Sequence, residues 1–173
     1  MKNFRHRALA FATACVALAC YPYHPDEVQA PSTFAADLTS VEITREADHI
    51  TVTSLNESGV VIGELAMIDD GQGWMWLSSD YSDGRFVVVI DREDDKAEPW
   101  VWPTTLPMDE LVHRAKLIED MIGADGAGDD DQCGIDTASA VAVCASEPAA
   151  ACTERIMEAV CNCLPSAAET CQL

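Results

Sequence analysis

Cysteine is the residue type in this chain with the clearest capacity for covalent chemistry. The 173-residue sequence holds 8 cysteines, and most of them lie between residues 133 and 173. Oxidised thiols form disulfides, and a short chain this rich in cysteine is typical of a disulfide framework in an oxidising compartment. Reduced cysteines would instead be free buried thiols or zinc ligands, two of them from Cys161-x-Cys163. The crowding of the cysteines near residue 150 favours disulfides.

The spacing of four of these cysteines predicts which faces they share. Cys133 and Cys144 are separated by the same number of residues as Cys152 and Cys163. At ~100° per residue this separation is about three helical turns, so each pair lies on one helix face, roughly 16 Å apart. Two cysteines that far apart on one helix cannot bond to each other. The sequence therefore predicts bonds between two helices.

A helix stop and restart is predicted at the corner between them, with Ser146 as candidate N-cap and Pro148 in the first turn. An antiparallel hairpin folded about this corner brings Cys144 to Cys152 and Cys133 to Cys163, which leaves Cys161 for Cys171. Six cysteines allow fifteen pairings, and this is the one that we predict. The arrangement resembles the twin-cysteine helical hairpins of the CHCH class, which have nine intervening residues where this chain has ten.

Other residue types give little indication of catalysis. We expect His24 in a flexible tether, His49 at the start of a strand and His113 on the exposed side of a helix. The sequence has no nucleophile elbow, no glycine-rich phosphate loop and no His-x-x-x-His metal pair. Paired carboxylates are abundant, but a net charge of -20 predicts that abundance. We expect a protein that is not an enzyme, and a secreted hydrolase is the third interpretation.

The four tryptophans form two i,i+2 pairs, Trp74 with Trp76 and Trp100 with Trp102. Residues i and i+2 of a strand point to one side, so each pair makes a flat aromatic strip. An exposed strip would bind sugar rings or the apolar surface of a partner. The alternative is that both strips pack in the core or on each other.

An acidic segment offers candidate ligands for calcium. Asp125, Asp129 and Asp131 would supply hard oxygen ligands on a backbone that contains two glycines. The segment lacks the alternating aspartates and the bidentate glutamate of an EF-hand loop. A solvated linker is the alternative interpretation, and no other cofactor is expected.

The first residues of the chain have the composition of an export signal. Lys2, Arg5 and Arg7 precede an apolar run over Ala8–Ala19. A helix needs roughly 20 apolar residues to cross the bilayer core, so this run is too short to span it and fits a secretory signal peptide over residues 1–19.

Cys20 follows this run directly. Ala17-Leu18-Ala19-Cys20 resembles the lipobox of bacterial lipoproteins, although that family usually has Leu where Ala17 stands. The resemblance implies that Cys20 is diacylated and anchors the chain to a membrane. Cleavage before Cys20 also leaves it without a partner once six cysteines have paired. Ordinary secretion with the cut at the same place, and a mitochondrial presequence, are the alternatives.

The charge restricts the partners. A net charge of -20 disfavours nucleic acid and anionic lipid, because a phosphate-binding face needs clustered lysine and arginine. We expect membrane contact through the lipid alone, with an envelope protein or a glycan as partner.

The remaining patterns predict an α+β fold in two parts. Residues 20–38 read as a flexible tether and residues 39–123 as a small antiparallel β-meander covered by one amphipathic helix, 108–122. Residues 124–132 read as an acidic linker, and residues 133–173 as the disulfide-stapled helical hairpin. The predicted function is an exported, lipid-anchored envelope protein with a binding or scaffolding role. A carbohydrate-binding or calcium-dependent adhesion module is the alternative.

Overall fold

The computed structural model describes residues 33–92, 98–102, 104–124, 128–167 and 171. A short helix opens this part of the chain, six strands follow, and three longer helices and a 3-10 turn complete it. The elements are α1 (Phe34–Asp37), β1 (Ser40–Arg45), β2 (His49–Leu55), β3 (Val61–Asp69), β4 (Trp74–Tyr81), β5 (Gly84–Asp91), β6 (Trp100–Trp102), α2 (Met108–Ala124), α3 (Asp129–Ser146), α4 (Ala149–Cys163) and a 3-10 turn (Pro165–Ala167).

The strands form one antiparallel sheet in the order β1-β2-β3-β4-β5-β6, as the predicted meander requires. Fully buried residues alternate with half-buried or exposed ones along β2 and β4 because one face of the sheet lies against the helices. We call this the inner face, and it supplies fully buried side chains such as Leu65, Met67, Leu77 and Phe86. The opposite face carries no element of the described chain.

Gly63 lies opposite Tyr81 in the register of β3 and β4. A glycine inside a strand often marks a bulge. The structure has a register irregularity one residue before Gly63: Ser54 pairs with Gly63 and Leu55 pairs with Val61, so Ile62 is skipped. The missing Cβ leaves room for the Tyr81 ring, which passes directly over the Gly63 backbone. Tyr81 is thereby buried at the end of the sheet.

The helical hairpin shares its core with the sheet. Helix α3 packs extensively on α2 and also contacts β1 to β4, so that residues Ser32–Leu173 make one compact unit. One close approach is at Gly134 of α3, where an added Cβ would lie 2.5 Å from Cδ1 of Ile43. The hairpin and the β-meander therefore pack on each other, because small residues of α3 let this helix approach the sheet closely.

Three further boundaries differ from the prediction. Phe34 and Leu38 are buried, so the end of the predicted tether at 20–38 belongs to the folded body. Helix α3 begins at Asp129, inside the predicted linker. Ser146 is the last residue of α3 and its hydroxyl donates to the Ala142 carbonyl, whereas Pro148 takes the N-cap position of α4.

Three disulfides hold the hairpin. They join Cys133 to Cys163, Cys144 to Cys152 and Cys161 to Cys171, with Cα–Cα distances of 5.4, 4.4 and 5.5 Å. These are the pairs that the spacing predicts. The first two close opposite ends of the α3–α4 pair, because each helix carries its two cysteines on one face.

Candidate functional site: a tryptophan face on the outer side of the sheet

The four tryptophans lie together on the face of the sheet that no described helix covers. Trp74 and Trp76 occupy β4, and Trp100 and Trp102 occupy β6, so the two pairs flank β5. In the register, Trp76 is opposite Val89, and Val89 is opposite Trp100 on its other side. The sheet therefore joins two strips that are 26 residues apart in the sequence into one surface, which we call the tryptophan face.

The rings contact one another across β5. Trp76 and Trp102 are nearly parallel, with an interplanar angle of 13° and ring centroids 6.0 Å apart. Trp74 and Trp100 have centroids 5.7 Å apart and are tilted by 40°. Aromatic pairs at such distances contribute about 0.5–1.5 kcal/mol beyond the area that they bury. Each ring thus covers part of its partner across β5, and the four rings form one continuous surface.

The face remains open to solvent even though its rings touch. Trp100 is 63% exposed, Trp102 46% and Trp76 36%, while Val89 beneath them is only 3% exposed. The rings therefore cover the strand below and still present their own surface. Large exposed apolar groups that adjoin one another usually mark a binding surface. The two tryptophan pairs therefore pack on each other and are also exposed to solvent.

One polar pair borders this surface. Arg85 and Asp80 are opposite each other on β5 and β4, and Arg85 Nη2 donates to Asp80 Oδ2 at 2.8 Å. Both side chains are well exposed, at 67% and 51%. Arg85, together with Trp76, Val87 and Trp102, lines a shallow groove. The groove thus offers two ring surfaces and one planar hydrogen-bonding group.

The turn that precedes β4 helps to place the first strip. Asp70 Oδ1 accepts hydrogen bonds from the backbone N–H of Gln72 at 2.7 Å and of Trp74 at 3.0 Å. Gly71 and Gly73 of this turn have positive φ angles of 68° and 101°, which glycine adopts without steric cost. The hydrogen bonds of this Asp-Asp-Gly turn hold the backbone at Trp74, where β4 begins.

A charged cluster lies on the helix-covered side of the sheet. Glu110 and Arg114 are spaced as an i,i+4 pair, which is typical of an exposed helix surface, yet the Arg114 side chain is only 3% exposed. Its Nη1 and Nη2 donate to both carboxylate oxygens of Asp83 at 2.7 and 2.6 Å, and its Nε donates to Glu110 at 2.7 Å. The guanidinium also lies 4.8 and 5.1 Å from the ring centroids of Tyr81 and Phe34.

The pKa values of this cluster follow from these contacts. The hydrogen bonds from Arg114 hold the pKa of Asp83 below its usual value. Burial by itself would lower the pKa of Arg114, but the hydrogen bonds to Asp83 and Glu110 outweigh it and raise that pKa. Burial raises the pKa of Tyr81. These directions keep Asp83 and Arg114 charged and Tyr81 neutral at neutral pH, so the cluster anchors α1 and α2 through its hydrogen bonds and ring contacts.

Two of the three predicted calcium ligands, Asp129 and Asp131, lie in the first turn of α3. Asp125 lies outside the described residues. Asp131 accepts a hydrogen bond from the Gly128 backbone N–H at 2.9 Å and so caps the start of α3, where Asp129 is exposed in the first turn. Carboxylates at a helix N-terminus interact favourably with its dipole. That role accounts for these aspartates without a metal ion.

His49 belongs to another small group of possible metal ligands. Its Nδ1 lies 3.0 Å from Asp48 Oδ1 and its Nε2 lies 3.7 Å from Glu46 Oε1. The hydrogen bond with His49 lowers the pKa of Asp48. Only the Nδ1 contact is within hydrogen-bond distance. Exposed acidic side chains beside a histidine are common on protein surfaces without a metal ion. His113 is exposed on α2, as expected, and His24 lies outside the described residues.

No helix in the described ranges is long and apolar enough to cross a membrane. Comparisons with protein-family models, with curated proteins and with solved structures find no match for this chain.

Proposed function

We propose that this chain is an exported, lipid-anchored protein of the bacterial cell envelope that binds a partner without chemical turnover. The observation that carries the proposal is the tryptophan face, where Trp76, Trp100 and Trp102 are exposed side by side. A rigid, solvent-exposed aromatic surface is a common means of noncovalent recognition.

The disulfide-bonded cysteines support the proposal of an oxidising compartment outside the cytosol. The three disulfides use all six cysteines from Cys133 onward, and disulfides persist in oxidising environments outside the cytosol. Cys20 therefore has no partner among them. A thioether-linked lipid on Cys20 would remove an otherwise reactive N-terminal thiol, which agrees with the resemblance of Ala17-Leu18-Ala19-Cys20 to a lipobox.

Intact mass of the protein purified from its own cells tests the anchor. We expect a mature chain that begins at Cys20 and carries a diacylglyceryl group, and we expect Cys20→Ser to move the protein from the membrane to the soluble fraction. A mature chain that begins at Cys20 without the diacylglyceryl group, or one with Cys20 in a disulfide, would refute the lipid anchor. The proposal of export would remain.

Site-specific cross-linking in cells tests the binding function. p-Benzoylphenylalanine at position 102 replaces one aromatic side chain of the face by another that captures its neighbours on illumination. The same residue at position 108 is the matched control, because Met108 is 41% exposed on α2, away from the face. Capture of one envelope component at position 102 and not at 108 is the expected result. Equal capture at both positions, or none at 102, contradicts a binding role for this surface.

A further inference from the structure

We infer that the tryptophan face binds an uncharged carbohydrate chain, an inference that rests on the binding function proposed above. The groove lined by Trp76, Val87, Trp102 and Arg85 is the centre of the site. Sugar rings present flat patches of C–H groups edged by hydroxyls. The groove presents the complementary arrangement, with flat ring surfaces beside a planar hydrogen-bonding side chain.

The charge of the protein limits what the face can attract. The chain carries a net charge of -20, and Arg85, the one basic side chain among the described residues that line the groove, is already paired with Asp80. A polyanionic ligand would meet repulsion from the body of the protein, and the described lining of the groove offers no cluster of cations to offset it. A polycation would be drawn to the acidic surface in general and not to this face. For an uncharged ligand, long-range charge neither attracts nor repels, so contacts with the tryptophan face determine the affinity.

The size of the face argues against a second copy of this chain. With ~250 Å² for a whole tryptophan side chain, the exposed fractions of Trp76, Trp100 and Trp102 amount to about 360 Å². A stable protein–protein interface needs about 800 Å² from each partner. Two copies would also bring together two bodies of the same strong negative charge. Two or three sugar residues, in contrast, need only a surface of this size.

The edge of the sheet is a poor site for an added peptide strand. β6 has only three residues, Trp100–Trp102, and the sequence places Pro99 before it and Pro103 after it. Proline has no backbone N–H to donate, so it interrupts the ladder that strand addition would extend. The ligand therefore approaches the face of β6 and not its edge.

The Asp80–Arg85 pair gives the site its orientation. The guanidinium carries several N–H donors in a plane, and the Asp80 carboxylate accepts hydrogen bonds. Both groups keep donors or acceptors free for ligand hydroxyls because they are more than half exposed. Stacking on Trp76 and Trp102 places the sugar ring, and these polar groups select among hydroxyl configurations.

Native affinity electrophoresis of the purified full chain tests this inference. The gels contain hydroxyethylcellulose, laminarin, galactomannan or glycogen, four neutral polysaccharides that differ in linkage. We expect at least one of them to retard the protein, with an affinity that 0.5 M NaCl leaves within about twofold because no ion pair is formed with the ligand. Trp76→Ala and Trp102→Ala should each weaken binding at least tenfold, and Arg85→Gln several-fold. Met108→Ala, on α2, should have no effect.

Trp102→Phe separates loss of binding from loss of folding. It keeps an aromatic ring at the same place, so it should retain more affinity than Trp102→Ala, while far-UV circular dichroism of both variants matches the parent. Failure of all four polysaccharides to retard the protein overturns the inference, and so does retardation that Trp102→Ala leaves unchanged. Retardation that 0.5 M NaCl abolishes also overturns it, because such binding would depend on charge. A protein captured by cross-linking at position 102 would preserve the binding function while refuting the carbohydrate.

Discussion

Removal of the Cys133–Cys163 disulfide should cost more stability than removal of the Cys144–Cys152 disulfide, although both join α3 to α4. The first closes a sequence separation of 30 residues and the second a separation of 8. The chain-entropy relation gives about 3.6 kcal/mol for the longer loop and about 2.5 kcal/mol for the shorter one at 25 °C. The loop lengths alone therefore predict a difference of about 1 kcal/mol.

Burial should widen this difference. Cys133 and Cys163 are 4% and 0% exposed, whereas in the other disulfide Cys152 is 2% exposed and Cys144 is only partly buried. Replacing a buried sulfur by a smaller side chain leaves space that neighbouring groups fill incompletely. The pair Cys133→Ala with Cys163→Ala thus loses packing as well as the cross-link.

Denaturant unfolding of the two double alanine variants, with the other two disulfides intact, measures the difference. Both free energies of unfolding are compared with that of the parent from complete urea curves. An equal loss in both variants, or a larger loss for Cys144→Ala with Cys152→Ala, would refute the reasoning from loop length and burial. A Glu147→Gln variant at the same corner, with all disulfides intact, reports the effect of an exposed substitution alone.

Three further outcomes follow from particular contacts. Gly63→Ala should destabilise the protein by about 1–3 kcal/mol because its Cβ would overlap the Tyr81 ring. The control variant Gly123→Ala, whose added Cβ meets nothing within 4 Å, should not destabilise the protein. Thermal unfolding compares the two variants. Asp83→Asn should flatten the dependence of stability on pH in acid. The folded-state pKa of Asp83 is lowered. Its stabilising contribution is therefore present above the unfolded pKa of ~3.9 and is lost as pH falls through the folded pKa. Urea unfolding curves at several pH values measure this loss. With limiting reductant, Cys161 and Cys171, both partly exposed, should be alkylated before the buried pair Cys133–Cys163, as peptide mapping would detect.

Local geometry explains why so much of the fold is predictable here. The strands alternate because one face is buried, and the turns between them carry residues such as Asn56 and Asp70 whose side chains accept backbone hydrogen bonds. The disulfide pairing follows from the helical repeat, since a separation that brings Cys133 and Cys144 to one face leaves few ways to pair across a hairpin.

Arg114 shows where such reasoning fails. An i,i+4 pair of Glu110 and Arg114 is typical of an exposed helix surface, and the pair does form. Its burial depends on Asp83, Tyr81 and Phe34, which come from the turn between β4 and β5, from β4 and from α1. No signal within α2 identifies partners that lie 31 or more residues away in the sequence.

The candidate site shows the same division. The sequence by itself determined that Trp74 and Trp76 share one side of a strand, because side chains alternate with a period of two. It did not determine which side, because Met75 and Leu77 make the other side of β4 equally apolar. Only the docking of the helices onto the Met75 side left the tryptophans in solvent. Only the sheet order, with β5 between β4 and β6, brought the two pairs into one surface, since burial and strand adjacency are properties of the whole fold.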